Sequence, residues 1–374
     1  MIYYDGVISN DVSWYVIKRY IFDFLPIFIL KLIKMKEEMS MKVIKAFGPK
    51  DLRVVDVSMP EPDPGSVRIK VRASGICGSD KWVWNVNEET DSIAGHEVAG
   101  VVEKLGEGVT SLSVGDRVSV NNVIGCGQCA ACIDGAFVYC IDCFNYPDVN
   151  NGFGEYVIAP VRNCLILPSG LDFIDGALIM DNWGTPYGGI KRADIKENTD
   201  VLITGCGPIG QAAIKLLKVM GCRVFAADPI EWRREFALTN GADYVFAPDE
   251  LPDAVLNITN GKGVHVAMEC SGNGAAYDIC LRSLQCLGNV VSIGEGAEFM
   301  FRPSDDLIHR GRGILGTWYS SMPQVKEIVQ LALDGRINLK SFLTHTVTLD
   351  EVPDIFDSVV NSEDGYLKCV IVFE

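Results

Sequence analysis

Four closely spaced cysteines restrict this chain more than any other feature of its sequence. Cys126, Cys129, Cys132 and Cys140 form a Cys-x2-Cys-x2-Cys-x7-Cys run, and tetrahedral zinc takes four thiolates at about 2.3 Å from short loops of this kind. A disulfide framework is a poor alternative, because cysteines this close are hard to pair and the chain total of 13 is odd. The run therefore predicts a structural zinc site that holds a loop together and does no chemistry itself.

The overall composition is that of a large globular protein. With 374 residues, 48% of them hydrophobic and 22% charged, the chain is long enough for two domains with full cores and is not composed like a disordered protein. A formal net charge of −16 argues against nucleic acid and against an anionic membrane surface as partners, since both require a basic face. Many cysteines without a paired framework are typical of a reducing compartment, so we expect a cytoplasmic protein.

Residues 1–40 differ in character from the rest of the chain. They include the charge-free run 24–30, which is far shorter than the roughly 20 residues that a membrane-spanning helix needs. A basic start followed by a small-residue cleavage site, which would mark a signal peptide, is not clear either. Because the sequence from Met41 onward reads as the first strand of a domain, we expect the native protein to begin at or near Met41. Residues 1–40 are then an extension that is either not native or disordered.

Near residue 200 the sequence changes from a β-rich pattern to an alternation of strands and helices. Between residues 41 and 186, short apolar alternations such as 67–71 and 97–102 lie between proline and glycine turns. After that point the pattern predicts buried strands at 200–204, 223–227, 264–268 and 289–293, a helix at about 209–220 that Gly221 ends, a helix near 324–333 and a final strand at 368–373. Such alternation predicts an α/β fold with a parallel, doubly wound sheet.

The first turn of the alternating region carries a glycine pattern for dinucleotide binding. The stretch Gly205-Cys-Gly-Pro-Ile-Gly210 follows a predicted strand and opens a helix, which is the context that gives a G-x-G-x-x-G its meaning. The glycines let the backbone approach a pyrophosphate, and the helix N-terminus offers N–H donors. The predicted cofactor contacts here are Gly205, Gly207, Pro208, Ile209 and Gly210. A glycine turn in an ordinary α/β sheet is the alternative.

Asp228 and Arg233 bear on which dinucleotide is bound. Asp228 ends the second strand of the alternating region, where a carboxylate accepts both ribose hydroxyls and repels a 2′-phosphate. This favours NAD over NADP. Arg233, which precedes Arg234, weakens that preference slightly and joins the predicted cofactor contacts. Asp228 as a simple helix cap is the alternative.

A second set of metal-binding residue types is scattered along the chain. Cys77 and His96 are suited to zinc, but a catalytic site needs a third protein ligand and an open fourth position. Asp181, just before the alternating region, is the candidate third ligand, and Glu97 joins the candidates because it follows His96. Asp80 is placed to hold the second nitrogen of His96 and fix its tautomer. Taken singly, these residues would more often be a buried thiol, a core histidine and surface acids.

These motifs together resemble those of the zinc-dependent medium-chain alcohol and polyol dehydrogenases over essentially 41–374. The motifs that carry the resemblance are Cys77-Gly-Ser-Asp80, Gly95-His-Glu97, the four cysteines of the first run, Gly152-Phe-Gly-Glu-Tyr156 and Gly205–Gly210. The resemblance implies a GroES-like β-rich catalytic domain, built from 41–186 and 320–374, that binds two zinc ions, one catalytic and one structural. It also implies a Rossmann NAD-binding domain at 187–319, with the active site in the cleft between the two.

The resemblance also assigns roles to individual residues. It implies that zinc held by Cys77, His96 and Asp181 acts as a Lewis acid on the substrate oxygen, and that the Ser79 hydroxyl takes the proton while hydride passes to the nicotinamide. Ser79 as a simple turn cap is the alternative. The third ligand is familiar as cysteine or glutamate, so Asp181 departs from the usual pattern, and Glu155 is then expected near the metal directly or through water.

The expected substrate is less closely specified than the reaction. Ethanol-type members place a histidine relay where this chain has Trp82, which favours a polyol, a sugar or another secondary alcohol. Glu97, Lys81 or Glu155 are the expected partners of its hydroxyl groups. The alternatives are a threonine- or formaldehyde-type dehydrogenase and a non-catalytic NAD-binding relative. By analogy with the family we expect a homodimer or homotetramer that pairs through an edge strand near 314–318.

Overall fold

The computed structural model describes residues 40–145, 149–296, 298–361, 363 and 365–374. The expectations about the extension at 1–40 therefore lie outside the described residues, apart from Ser40, which begins the first strand. The described strands are β1 (Ser40–Gly48), β2 (Asp51–Ser58), β3 (Ser66–Ile76), β4 (Glu97–Leu105), β5 (Arg117–Val120), β6 (Tyr156–Pro160), β7 (Cys164–Ile166), β8 (Asp200–Thr204), β9 (Arg223–Ala227), β10 (Tyr244–Phe246), β11 (Val264–Glu269), β12 (Leu284–Ser292), β13 (Gly313–Gly316), β14 (His345–Val347) and β15 (Cys369–Val372).

The helices lie mostly in the second half of the chain. They are α1 (Lys81–Trp84), α2 (Ala130–Ile133), α3 (Phe173–Leu178), α4 (Gly184–Arg192), α5 (Pro208–Val219), α6 (Glu231–Thr239), α7 (Asp253–Ile258), α8 (Gly274–Ser283), α9 (Met322–Leu333) and α10 (Val352–Val360). A π-helical turn, Ile179–Trp183, joins α3 to α4. Within the described part of the chain, no helix is long and apolar enough to cross a membrane.

Strands β8 to β13 form a parallel sheet of six strands in the order β10-β9-β8-β11-β12-β13. This is the doubly wound order, in which the strand sequence reverses between β8 and β11. The α/β fold predicted from the sequence is confirmed. Helix α5 ends where Gly221 adopts a left-handed φ of +78°, as the sequence predicted.

The other large sheet combines strands from both ends of the chain. It has the order β14-β15-β3-β4-β5-β7, with β6 paired to β3. The C-terminal strand β15 runs antiparallel to β3 and places Cys369 opposite Ile76. The GroES-like β-rich part of the predicted fold is confirmed.

One apolar core joins the two sheets. Ala73 and Ala99 of the mixed sheet belong to the same buried cluster as Val201 and Ile203 of the parallel sheet. Trp183 of the π-helical turn lies fully buried between them. The π-helical turn that leads from one sheet to the other is thus fixed in the core. Asp181, which belongs to this turn, lines a cleft between the two sheets.

Candidate active site

Cys77, His96 and Asp181 meet at one end of a cleft between the two sheets. Oδ2 of Asp181 lies 3.5 Å from Sγ of Cys77 and 3.3 Å from Nε2 of His96. Tetrahedral coordination with bonds of about 2.0–2.3 Å separates neighbouring ligand atoms by about 3.3–3.8 Å. The two distances from Asp181 therefore match those between zinc ligands, and the ligand atoms of all three residues lie within 4.8 Å of one another. Together with Glu97 they form one of the two clusters of potential metal ligands among the described residues.

The register of two neighbouring strands brings the first two ligands together. In the antiparallel pair β3–β4, Gly75 lies opposite Glu97, so Cys77 and His96 leave the sheet side by side. Gly95 has a φ of +97°, and a Cβ there would lie 2.6 Å from the backbone nitrogen of Phe153. Only glycine accepts this backbone conformation at such a close approach.

Asp80 occupies the position that the sequence analysis assigned to it. Its Oδ1 lies 3.3 Å from Nδ1 of His96, and its Oδ2 accepts a hydrogen bond of 2.8 Å from the backbone N–H of Cys77. The side chain is 1% exposed. Asp80 therefore orients one ligand and holds the backbone of another, which is the usual task of a carboxylate behind a metal-bound histidine.

The charges and pKa shifts of the cluster favour binding of a cation. Burial lowers the pKa of His96, but Asp80, Tyr319 and Asp181 outweigh it and raise that pKa well above its ordinary value. Burial raises the pKa of Asp181, but the hydrogen bond and charge of His96 outweigh it, so the pKa is lowered. Burial, followed by the charge of Asp181, raises the pKa of the Cys77 thiol. A divalent cation would displace the protons held on His96 and Cys77.

Glu97 and Lys368 form a buried ion pair behind the cluster. Nζ of Lys368 donates 2.6 Å to Oε1 of Glu97 and 2.8 Å to the carbonyl oxygen of Ile76. Burial lowers the pKa of Lys368, but the charge of Glu97 outweighs it and raises that pKa. Lys368 was not among the site residues predicted from the sequence. The sequence indicates it only through the presence of a lysine at the start of an otherwise apolar strand.

Three residues that we expected to bind substrate hydroxyl groups do not line the cleft. Glu155 is outside the cluster, because its Oε2 accepts a hydrogen bond of 2.6 Å from the backbone N–H of Lys42 in β1. The cluster of potential ligands therefore gives no support to Glu155 as a direct ligand, and its expected place near the metal through water stays a prediction. Glu97 is 0% exposed and Lys81 donates to Asn361, so none of the three lines the cleft as partners of substrate hydroxyls.

The cleft itself has a volume of about 710 Å³ and joins the metal ligands to the glycine loop. Ser79 and Trp82 line it near Cys77, and both are exposed. Polar side chains that the sequence analysis missed line it as well: Asn122, Asn150, Asn182, Thr185 and Tyr319. They come from distant parts of the chain, so local patterns gave no signal for them.

The glycine loop has the shape that a dinucleotide needs. Gly205 has a φ of +89°, and a Cβ at Gly210 would lie 2.0 Å from the Gly205 carbonyl oxygen. At Gly207 a Cβ would meet nothing within 4 Å, so this position faces open space just before Pro208 begins α5. Pro208 and Ile209 line the cleft. The loop thus offers backbone and a helix N-terminus to a phosphate.

Asp228 and Arg233 lie beside this loop. Oδ2 of Asp228 accepts 2.8 Å from the N–H of Cys206, and Oδ1 accepts 2.8 Å from the N–H of Ile230. Nη1 of Arg233 is 3.9 Å from Oδ2. The carboxylate is 3% exposed, and each oxygen retains a second lone pair for a further donor.

The four cysteines of the first run form the other ligand cluster. Ligand atoms of Cys126, Cys129, Cys132 and Cys140 all lie within 4.8 Å of one another. Cys126 and Cys132 have their sulfurs 4.0 Å apart, close to the about 3.8 Å between thiolates on one tetrahedral zinc. Hydrogen bonds from the backbone of Gln128 and Cys129 lower the pKa of Cys126 to about 7. The donor set fits zinc.

Comparisons with known proteins agree with this geometry. Two family models match the chain: alcohol dehydrogenase GroES-like domain over 63–169 and zinc-binding dehydrogenase over 208–334. A zinc-type alcohol dehydrogenase-like protein of Escherichia coli K12 is 32% identical over 86% of this chain and 95% of its own. L-threonine 3-dehydrogenase of Pyrococcus abyssi is 34% identical over 82% of this chain and 90% of its own.

Solved structures match over nearly the whole chain. One, described as a short chain alcohol dehydrogenase of Escherichia coli CFT073 with NADH, has a TM-score of 0.81 and 25% identity, covering 90% of this chain and 100% of its own. A zinc-binding dehydrogenase of Sinorhizobium meliloti 1021 with NADP has a TM-score of 0.78 and 26% identity, covering 89% and 99%. Similar proteins have thus been crystallised with either dinucleotide.

Proposed function

The chain belongs to the zinc-dependent medium-chain dehydrogenase family, and we propose that it transfers hydride between NAD and a polyol, sugar or secondary alcohol. One observation carries the proposal. Cys77, His96 and Asp181 are spaced as tetrahedral zinc ligands in the same cleft as Gly207 and Ile209 of the nucleotide loop. An alcohol and a hydride acceptor can therefore be held side by side.

Two zinc ions per subunit are part of the proposal. Cys77, His96 and Asp181 would hold the catalytic ion, and the four cysteines from Cys126 to Cys140 would hold the structural one. Glu97 stays at the edge of the first set, since Lys368 holds its Oε1. When bound, the catalytic zinc supplies Lewis acid chemistry that lowers the pKa of a substrate hydroxyl.

Ser79 is the residue that takes the proton of the alcohol. Its exposed side chain lines the cleft two residues after Cys77. Oγ accepts the substrate proton while its own proton passes to the nicotinamide ribose or to solvent, so Ser79 ends unchanged. The carbinol carbon loses hydride to C4 of the nicotinamide and becomes a carbonyl carbon. Trp82 lines the same wall, so no imidazole extends this relay.

NAD is the proposed dinucleotide. Asp228 lies beside the glycine loop with both oxygens directed at backbone amides, and a buried carboxylate there disfavours a 2′-phosphate. Arg233 is within 3.9 Å of that carboxylate, which partly neutralises it and keeps NADP as the alternative. Comparing kcat/KM for the two dinucleotides decides between them.

A neutral substrate suits the cleft better than an amino acid. In the described part of the cleft lining, Lys368 is the only lysine or arginine, and its charge is already paired with Glu97. The carboxylate of threonine would therefore find no unpaired lysine or arginine in the described lining of the cleft. Because some relatives are named L-threonine 3-dehydrogenase, a threonine-type enzyme is the second candidate and a formaldehyde-type enzyme is the third. Both substrates should therefore be included when substrates are tested.

The assembly and location of the protein are further parts of the proposal. We divide the chain into a catalytic domain at 41–186 and 320–374 and a nucleotide-binding domain at 187–319. Strand β13 ends the parallel sheet and leaves backbone groups open to pair with a second copy, so we propose a homodimer or homotetramer. Two thiol-containing metal clusters suit the reducing cytoplasm.

Zinc analysis and an alcohol panel with NAD test the function. We expect two zinc ions per subunit and oxidation of polyols or secondary alcohols. Asp181→Asn and Cys77→Ser should each lower kcat by more than the about 10–100-fold that changes behind metal ligands cost, with NADH binding retained in fluorescence titration. Glu155→Gln is the matched control, because that carboxylate lies outside the cluster. Full activity in Asp181→Asn would remove Asp181 from the ligands, and one zinc with no alcohol oxidised would indicate the non-catalytic alternative.

A further inference from the structure

Tyr319 has a backbone conformation that its residue type rarely adopts. It follows β13 with a φ of +50°, and its side chain is 8% exposed. An aromatic residue in the left-handed region is uncommon and persists only where the surroundings hold it there. Such outliers are frequent at functional sites, so the contacts of the Tyr319 side chain bear on function.

The hydroxyl group of Tyr319 is oriented by Asn122. Nδ2 of Asn122 donates a hydrogen bond of 3.0 Å to Oη of Tyr319. An amide nitrogen can only donate, so the phenolic proton remains available for another acceptor. No acceptor for it is present among the described residues. A tyrosine hydroxyl has an ordinary pKa of about 10, so it carries its proton at neutral pH.

This donor lies against the metal ligands. The ring of Tyr319 stands edge-on to that of His96 with centroids 6.5 Å apart, and both residues line the cleft with Cys77 and Asp181. A group bound to the cluster through one oxygen would therefore share the cleft with Tyr319.

A polar atom of a second cleft residue has no hydrogen-bond partner among the described residues. Oδ1 of Asn182 is buried and accepts no hydrogen bond from any described residue, although Asn182 lines the cleft and is 1% exposed. A buried amide oxygen without a donor is costly unless a ligand supplies one. The cleft thus offers a free donor on Tyr319 and a free acceptor on Asn182, whereas Trp82 and Trp318 give its walls an apolar surface.

We propose that Tyr319 is a specificity-determining residue that donates a hydrogen bond to a second substrate oxygen, on the carbon next to the reacting carbon. Asn122 is the positioning residue that holds the hydroxyl for this contact. The substrate class is then vicinal diols, including polyols and sugars, in preference to alcohols with a single hydroxyl group. This inference rests on the proposed function and names the substrate class of that site.

The test compares two substrates that differ by one hydroxyl group, 2,3-butanediol and 2-butanol, in the zinc-loaded enzyme with NAD. The wild type should prefer the diol in kcat/KM, and Tyr319→Phe should lower that preference about 10-fold, the worth of one hydrogen bond of about 1.4 kcal/mol. Tyr244→Phe is the matched control, since Tyr244 packs on Phe225 in the parallel sheet, away from the cleft. It should leave both rates unchanged.

The outcomes separate this inference from the function on which it rests. Oxidation of both alcohols with the same preference in Tyr319→Phe as in the wild type overturns the inference and leaves the proposed function standing. Oxidation of neither alcohol, nor of any other in the panel, overturns both. If Tyr319→Phe does not fold, Asn122→Leu should also lower the preference for the diol, because it removes the amide that orients the hydroxyl. A purely structural effect would instead lower kcat/KM for both alcohols together and leave their ratio unchanged.

Discussion

Replacing Lys368 by methionine is expected to lower the free energy of unfolding by about 3–5 kcal/mol. Nζ of Lys368 lies 2.6 Å from Oε1 of Glu97, and the two side chains are 1% and 0% exposed. At an effective dielectric constant of about 20, their attraction is about 6 kcal/mol. Methionine removes this attraction together with the cost of burying the lysine charge, and it leaves the buried carboxylate of Glu97 without the ammonium group that pairs with it. The expected net loss is therefore smaller than the attraction itself.

Thermal unfolding of zinc-loaded protein measures this loss. With an unfolding entropy of about 2.1 cal/mol/K per residue over roughly 330 residues, 3–5 kcal/mol corresponds to a fall in Tm of about 4–7 °C. The control is Lys191→Met, whose pair with Glu327 has a similar distance of 2.7 Å but side chains 42% and 49% exposed. That exposed pair should contribute no more than about 1 kcal/mol.

A double variant shows whether the buried charge is the cause. Glu97→Gln combined with Lys368→Met removes the carboxylate that the single change leaves unpaired, so it should recover a large part of the lost stability. Equal losses in Lys368→Met and Lys191→Met, or no recovery in the double variant, would refute the reasoning. Zinc content is measured alongside, because Glu97 borders the ligand cluster.

Two further predictions concern the zinc loop and the glycine loop. Cys126→Ser should reduce the zinc content from two to one per subunit, because zinc binding and folding of such a loop are coupled. Proteolysis of the variant should then begin within 126–140. An unchanged zinc content would contradict a zinc site at these cysteines. Gly207→Ala should leave Tm nearly unchanged, since the added Cβ meets nothing within 4 Å, but should weaken NADH binding about 10-fold or more by filling the phosphate approach; Gly210→Ala should instead destabilise the fold, because its Cβ would lie 2.0 Å from the Gly205 carbonyl oxygen.

Features encoded in short stretches of sequence could be predicted, because their physical causes are local. The glycine loop from Gly205 to Gly210 lies between a strand and a helix within a few residues, and the predicted strands and helices of the parallel sheet are confirmed within a few residues at their ends. The four-cysteine run belongs to the same class. In each case the residue types and the spacing that matter are neighbours in the chain.

Residues brought together by strand pairing could not be predicted in this way. Lys368 meets Glu97 only because β15 lies against β3 and β3 against β4. Glu155 was expected near the metal from its motif, but its carboxylate is directed to the backbone of β1 instead. Tyr319 and Asn122 are likewise distant in sequence, so only the folded chain shows that they share a hydrogen bond.

The proposed third ligand, Asp181, shows how a local irregularity can complete a site that strand pairing begins. Asp181 lies in a π-helical turn between Ile179 and Trp183, both fully buried, and such turns interrupt helices most often at functional sites. Thr185 Oγ1 donates 2.7 Å to Oδ1 of Asp181, which leaves Oδ2 alone to face Cys77 and His96. A carboxylate engaged in this way offers a metal a single oxygen. A zinc ion held by Cys77, His96 and Asp181 would keep a fourth coordination position for the substrate, and all three residues line the cleft.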